Sequence, residues 1–557
     1  MRRRVYLAFG SVVLSWGLLL AWPLTASAQL SFVDSSSPAV AIASPVAGVL
    51  ERGKQLEAQR RWGEALSLYE EAIRNHPHDR SLEQRFSLAR THYDLARRYS
   101  DSSFRDSLTS MSFREALELY AEVLGKIQTH YVESPDWDLL VRHGTQGLEA
   151  ALSDPVFVER NLPGMPAARI EHFKRQLRDY LASRAGAGRA SSRQEARDLV
   201  AVAAQFAHDQ LGLLETAVTL EYVSGATNAL DQYSTYLTAG QLNEVYSQIE
   251  GNFVGLGVEL KAADGALLIV KVITGSPAQR GGILANDRIV AVDGRSTSTM
   301  TTDQAANMLQ GKEGSMVDVT AVSPGQHPRI VRIRREQVEV PSVDGVRIVD
   351  AAYGVAYLKL TCFQKTTSRD LDTALWKLHR EGMRSLIIDL RGNPGGLLTT
   401  SVDVVDKFVD KGIIVSTRGR SSQEDYNYSA RQAGTWRVPL VVLIDGDSAS
   451  ASEIFAGAIR DHRRGLIVGT RSYGKGSVQG IFPLNVANSG LRLTTAKFFS
   501  PRGLPFSQIG VSPDLLVQQA AKPVVGDDGA ALVPVAGDPD PVFDAGVREA
   551  RRQVARK

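Results

Sequence analysis

The chain has 557 residues, 43% of them hydrophobic, and 64 Lys and Arg against 61 Asp and Glu. That length supplies about three or four packed domains, and a net charge of +3 with no aromatic-interleaved basic patch argues against a nucleic-acid partner. The single cysteine, Cys362, excludes an internal disulfide and any multi-cysteine metal site; no motif implies another metal or an organic cofactor.

Met1-Arg2-Arg3-Arg4, an uncharged apolar stretch to Leu24 and then Ala26-Ser27-Ala28 form a secretory signal pattern with an A-x-A cleavage site. Residues 1–28 are therefore expected to be a signal peptide, with a mature start at Gln29 and export to the periplasm or cell envelope of a bacterium. The apolar stretch is long enough to span a bilayer if cleavage fails, so uncleaved membrane anchoring is the alternative. Residues 29–46, rich in Ser, Ala and Pro, predict a linker. Residues 47–242 predict a helical region, with amphipathic patterns over Leu50 to Arg60 and Trp62 to Asn75. The run Trp62-Gly63-Glu64-Ala65-Leu66-Ser67-Leu68-Tyr69 resembles a tetratricopeptide repeat. Its echo at Glu115-Ala116-Leu117-Glu118-Leu119-Tyr120 is too distant for that repeat's period, so one hairpin rather than a solenoid is expected. A docking surface for an adaptor and plain helix packing are equally compatible with it. Ser183 to Gln194, rich in Ala, Gly, Arg and Ser, predicts a loop.

Residues 243–338 form a second unit. Phe253-Val254-Gly255-Leu256-Gly257-Val258 is a glycine-kinked loop opening into a strand. Strand patterns follow over Leu267 to Ile273, Arg288 to Val292, Val317 to Val322 and Ile330 to Ile333, with a short helix over Asp303 to Leu309. With Ser276-Pro277-Ala278 and Gly281-Gly282-Ile283-Leu284, this order resembles a PDZ domain. The resemblance implies that the N–H groups of Val254, Gly255, Leu256, Gly257 and Val258 take a peptide's terminal carboxylate while the peptide pairs with a strand edge.

Residues 339–517 carry the chemistry. The buried-strand pattern Leu386-Ile387-Ile388-Asp389-Leu390 runs into the glycine-rich turn Arg391-Gly392-Asn393-Pro394-Gly395-Gly396, the kind of place where open α/β sheets put their sites. A second such strand, Leu440 to Ile444, runs into Gly446-Asp447-Ser448-Ala449-Ser450-Ala451-Ser452-Glu453 and a helix. Ser450 sits at that helix start, beside N–H groups lacking intrahelical partners, and the N–H of Ala451 is placed to hold an oxyanion. The same Ser-x-x-Glu spacing also fits a capping box, so Ser450 alone is ambiguous. Lys475, between Gly474 and Gly476, can act as a base once desolvation removes its proton. Together they suggest a Ser/Lys dyad. His462 lies about 18 Å along the helix from Ser450, too far to serve as its base, and suits a helix end.

The order of Asp-Leu-Arg-Gly-Asn-Pro-Gly-Gly, Ser-Ala-Ser-Ala-Ser-Glu-Ile and Tyr-Gly-Lys-Gly-Ser-Val-Gln, followed by Leu493-Thr494-Thr495-Ala496-Lys497-Phe498 and Gly510-Val511-Ser512-Pro513-Asp514, resembles the C-terminal processing peptidases, or tail-specific proteases. The resemblance runs from about residue 115 to residue 517. It implies that Ser450 is the nucleophile, Lys475 the base and Gln479 the residue that orients the lysine amine, with a glycine N–H of Gly395 or Gly396 completing the oxyanion hole. The expected fold is multidomain α+β: an N-terminal helical region, a PDZ-like β-rich domain and an α/β protease core with a mixed sheet. Residues 518–557 are expected to be a flexible tail with a short basic helix-like segment over Val547 to Lys557. The expected activity is that of an exported serine endopeptidase whose partners are protein substrates held by their C-termini. The rival is a non-catalytic envelope scaffold built on the PDZ and helical regions.

Overall fold

Amphipathic patterning folds the N-terminal half into helices. The computed structural model describes residues 45–76, 78–184, 190–263, 266–298, 306, 308–422, 425–431, 435–518 and 540–556. The signal peptide, most of the linker, the centre of the Ser183 to Gln194 loop and residues 519–539 of the tail therefore lie outside the described residues. Among the described residues no helix is long and apolar enough to cross a membrane. The chain divides into two compact units, residues 243–342 with 364–370 forming one and the remainder the other.

The first helices are α1 (Pro45–Ala58), α2 (Trp62–Asn75), α3 (Arg80–Ser100), α4 (Ser102–Ser110) and α5 (Phe113–His130). Next come α6 (Trp137–Ala151), α7 (Pro155–Asn161), α8 (Ala167–Arg184), α9 (Arg193–Leu211) and α10 (Glu215–Asn228), followed by the short strand β1 (Thr235–Leu237) and α11 (Ala239–Glu250). Side chains cap their starts: Asp79 accepts from Ser81 and Leu82 at α3, and Ser112 with Glu115 closes a capping box at α5. Every residue of α10 from Thr216 to Thr227 is buried, so it is the central helix of the bundle. A Cβ on its Gly225 would lie 2.5 Å from Gly144 Cα, which is why α6 and α10 can cross backbone to backbone.

The PDZ unit holds β2 (Asn252–Gly255), β3 (Val258–Ala263), β4 (Ala266–Val272), α12 (Pro277–Arg280), β5 (Arg288–Val292) and β6 (Arg295–Ser296), then β7 (Met316–Val322), β8 (Arg329–Arg334) and β9 (Glu336–Glu339). One sheet runs β3-β4-β5-β7-β8 with β6 on β5, and β2 pairs with β9. Leu256, Leu267, Ile269, Ile289, Val292 and Val319 are among the residues filling its core. The buried carboxylate of Asp287 accepts from Ser323 Oγ, Arg329 Nη2 and the Leu284 N–H, which makes its burial tolerable. The helix expected over Asp303 to Leu309 lies outside the described residues except at 306, 308 and 309.

The protease core begins with β10 (Val343–Asp350) and β11 (Val355–Leu360), then α13 (Thr367–Arg380), β12 (Ser385–Asp389), α14 (Leu398–Asp406), β13 (Ile413–Gly419) and β14 (Tyr426–Ser429). It continues with β15 (Leu440–Ile444), α15 (Ala451–Asp461), β16 (Leu466–Gly469), β17 (Ser477–Pro483), β18 (Gly490–Phe499), β19 (Leu515–Leu516) and α16 (Pro541–Ala555). The main sheet runs β10-β11-β12-β15-β16-β19, parallel except at β10. Alternate strand residues serve opposite faces. Leu358, Leu386, Ile388, Val442 and Ile444 face one cluster with Leu375, Val404 and Ile454 from the helices. Tyr357, Ile387, Val441, Leu443 and Val468 face another with Val542, Ala545 and Ala550 of α16. A sheet covered on both faces explains why β15 is apolar throughout and β12 is apolar from Leu386 to Ile388. A second sheet joins β1, β18, β13 and β14, with β17 on β18.

The end of the chain departs from expectation. Residues 541–555 are not tail but a full helix that starts well before Val547, N-capped by Asp540, with Val542, Ala545, Gly546, Ala550 and Val554 buried. The reason is the far face of the main sheet, whose apolar residues need a cover. Arg391 fastens this helix to the turn after β12 by pairing with both Asp389 (2.7 Å) and Asp540 (2.8 Å).

Candidate active site

The two glycine- and serine-rich turns leave the C-terminal ends of neighbouring parallel strands, β12 and β15, so the sheet itself brings them together. Asn393 fastens them. Its side-chain amide donates to Leu360 O (2.8 Å), and its carbonyl accepts from the Ala449 N–H (3.0 Å) and Ser452 Oγ (3.0 Å). Ser448 adds a bond from its hydroxyl to Leu390 O at 2.9 Å. Gly395 abuts Ser450: a Cβ there would lie 2.8 Å from Ser450 Cβ and 2.9 Å from Ala451 N. With φ at 103°, only glycine is at ease in that place.

Ser450 itself is strained. Its φ is 56° with ψ at −112°, a region that costs a non-glycine residue about 1–3 kcal/mol. It stands at the N-cap of α15, and the Glu453 carboxylate returns to its N–H as a capping box requires. For the other half of the box, Ser450 Oγ faces the Glu453 N–H in the capping position, yet it is buried without a close hydrogen-bond partner. Strain and a hydroxyl without a close partner, at a sharp strand-to-helix turn, are features that a nucleophile can use. The Ala451 N–H opens α15 and by position has no intrahelical acceptor.

Lys475 comes from the segment before β17 and is only 1% exposed. Its flanking glycines are required by space, since a Cβ on Gly476 would meet Ser507 N at 2.2 Å. Burial pushes the lysine down to about 7, helped by the charge of Arg492 and opposed by Asp231 and Glu453. The Tyr233 ring lies 4.7 Å from its Nζ. Gln479, fully buried on β17, donates from Nε2 to Ser477 Oγ (2.9 Å) and Thr494 Oγ1 (3.4 Å), while its Oε1 has no partner.

Sequence spacing gave Glu453 only a capping role, and the structure gives it more. Its Oε2 accepts the N–H of Ser450 (2.8 Å) and the N–H of Lys475 (2.8 Å). Its Oε1 accepts from Ser472 Oγ (2.6 Å) and the Gly474 N–H (2.6 Å). One buried carboxylate thus pins the serine turn and the lysine segment to a common point. Burial pushes Glu453 up to about 7, against the four bonds that favour its charged form. The Gly395 N–H is donated to Asn393 Oδ1 at 2.9 Å. His462 follows the end of α15 and bonds Ile413 O (2.7 Å), a structural position. In the PDZ unit, Val254 and Gly255 end β2, Val258 begins β3, and Leu256 and Gly257 make the turn between them. Gly257 has φ at 82°, and a Cβ there would lie 2.3 Å from Ser276 Cβ.

Peptidase family S41 matches residues 354–517, and the PDZ domain matches residues 268–322. A carboxy-terminal-processing protease of Bartonella bacilliformis is 38% identical over 317 residues, covering 56% of this chain and 71% of that one. The chloroplastic carboxyl-terminal-processing peptidase 2 of Arabidopsis thaliana is 33% identical, covering 51% of this chain and 57% of that one. A probable CtpA-like serine protease of Staphylococcus aureus is also 33% identical, with 52% and 57% covered. Among solved structures, the photosystem II D1 C-terminal processing protease is 25% identical, with 73% of this chain and 94% of that one covered at a TM-score of 0.40. The chain belongs to the carboxy-terminal-processing proteases, serine-type peptidases of family S41 that carry a PDZ domain.

Proposed function

We propose that this protein is an exported endopeptidase that captures protein substrates by their C-terminal tails through its PDZ domain and cuts near them with a Ser450/Lys475 dyad. The observation that carries the reading is the pairing of a strained, unpartnered serine hydroxyl with a buried lysine whose affinity for protons is lowered to the neutral range. Lys475 as free amine takes the proton of Ser450 Oγ as that oxygen attacks the scissile carbonyl. The carbonyl oxygen becomes an oxyanion held by the Ala451 N–H and a glycine N–H. The Gly395 N–H is already donated to Asn393, which favours Gly396 as that second donor. The ammonium of Lys475 then gives its proton to the leaving amine, and water releases the acyl group from Ser450 by the same route. Gln479 Oε1 is the acceptor that would orient the amine between these steps.

Tail capture rests on the Val254 to Val258 loop, whose Gly257 holds a turn that no side chain fits. Export rests on the signal pattern of residues 1–28. The test is mass spectrometry of envelope proteins from cells carrying the active enzyme or Ser450→Ala, reading which C-termini differ. The alanine variant is expected to fold, since losing a cap residue costs about 0.5–2 kcal/mol, and to cleave nothing. A folded Ser450→Ala chain that still trims tails overturns the assignment.

A further inference from the structure

The α1–α2 hairpin stands apart from the rest of the helical bundle. Its apolar cluster holds Leu56 of α1, Ala65, Tyr69, Ala72 and Ile73 of α2, and Leu82 and Ala89 of α3. It shares no residue with the main core of the bundle. The two remaining members come from the protease core, and they are Ala449 and Tyr473. Ala449 immediately precedes Ser450, and Tyr473 stands two residues before Lys475.

Polar groups reinforce the contact. The Arg74 guanidinium stacks 5.5 Å from the centre of the Tyr473 ring. Glu70 of α2 is drawn in to 6% exposure, and burial holds its carboxyl well above the usual range with Arg74 opposing. From α3, Arg90 donates to the carbonyls of Asp231 and Ser234 (3.0 and 3.2 Å). Those bonds bracket Tyr233, the residue whose ring lies over Lys475. In this arrangement Ser450 and Gln479 are 0% exposed and Lys475 is 1% exposed. A nucleophile has to come within about 3–3.5 Å of the carbonyl it attacks. No polypeptide reaches that distance from a serine with no accessible surface.

Resting on the dyad reading, we propose that the α1–α2 hairpin is a removable cover over Ser450 and Lys475, and that it selects as substrates those unstructured polypeptides able to displace it from Ala449 and Tyr473. The small, separate cluster under the hairpin lets it part from the core while both main clusters stay packed. One ion pair holds it down on α3, Arg85 with Glu57 of α1 (2.6 Å), and Tyr69 of α2 donates to the same carboxylate (2.6 Å), which ties the two hairpin helices to that point.

The test uses the full chain with Tyr69→Ala, which removes the ring at the centre of the cluster and the bond to Glu57 without touching the catalytic segments. Cleavage of an unstructured reporter peptide and modification of Ser450 by a fluorophosphonate should both quicken by about tenfold or more, because the open form is a minor species in the covered chain. Amide exchange over residues 62–75 should quicken with them. A variant whose hairpin exchanges faster while both rates stay unchanged overturns the proposal. A second measurement stands if Tyr69→Ala does not fold. In the Ser450→Ala chain, saturating unstructured polypeptide should accelerate exchange over residues 62–75, and unchanged protection there overturns the cover equally. The dyad reading fails separately, through a Ser450→Ala chain that still cleaves.

Discussion

The turn that carries Ser450 and the loop that leads into the PDZ sheet are both short, glycine-dependent bends, and they are built by opposite means. Around Ser450 the backbone is held by buried polar side chains: Asn393, Ser448, Glu453 and Ser472 contribute bonds from several directions. The Val254 to Val258 loop is anchored by a buried apolar residue, Leu256, and by the N–H groups of Ala278 and Ile273, which donate to the carbonyls of Leu256 and Gly257. In the proposed mechanism the first must have its donors in place before the reaction, since reorganising them during it would cost the rate. In the proposed tail capture the second needs only an edge and a bend, because an arriving strand supplies the remaining hydrogen bonds.

The contrast breaks most sharply at the base. Lys475→Arg keeps the charge but cannot give up its proton, so turnover should fall by about a thousandfold or more. With the native lysine, activity should climb with pH and level off above about 7, because burial lowers the lysine to that value and only the neutral amine accepts the serine proton. A profile that falls as pH rises through 7, or an arginine variant near normal rate, removes Lys475 from the role of base.

A smaller effect is expected from Glu453→Gln. The amide keeps the shape but replaces one acceptor oxygen with a donor, setting it against two of the four groups that Glu453 now receives. Each buried group left unpaired costs about 1–3 kcal/mol. The melting temperature should fall, and kcat should drop by about 10- to 100-fold with KM little changed, because the carboxylate positions the reacting segments without holding substrate. Equal kcat in the two forms would make Glu453 a cap and nothing more.

The mildest change belongs to the PDZ loop. Gly257→Ala forces a Cβ against Ser276 at a φ that disfavours it. Binding of a free-acid tail peptide should weaken several-fold, amidating the peptide should weaken binding to the native loop similarly, and hydrolysis of a short peptide that bypasses capture should hold steady. Equal affinity for the acid and the amide would show that the loop does not read the carboxylate.

Much of this was legible in the chain because strand, turn and helix follow one another within a few residues at Ser450, and the glycines flanking Lys475 and in Gly395-Gly396 mark close approaches. Glu453 was visible only as a capping partner. The Ser-x-x-Glu spacing is local, whereas the bonds to Gly474 and Lys475 depend on a segment that folding brings back. Helix α16 was obscured by its sparse stripe of small residues, Val542, Ala545, Gly546 and Ala550, after a stretch of Pro, Gly and Asp. Ala65 and Tyr69 showed that α2 has an inner face, but what that face covers is settled by packing across the chain.

One pairing has a further consequence, in the order of folding. Strand β1 is joined to β18, Thr235 opposite Arg492, and Arg492 in turn donates to the Tyr233 carbonyl at 3.0 Å. The surroundings of Lys475 are therefore closed by residues from opposite sides of the PDZ insertion, and contacts so far apart in sequence form slowly. A chain still emerging from the ribosome, before β18 has followed, carries Ser450's partners in pieces. The residues around Lys475 are thus brought together by some of the most sequence-distant contacts in the chain, and a chain that still lacks β18 lacks the completed site.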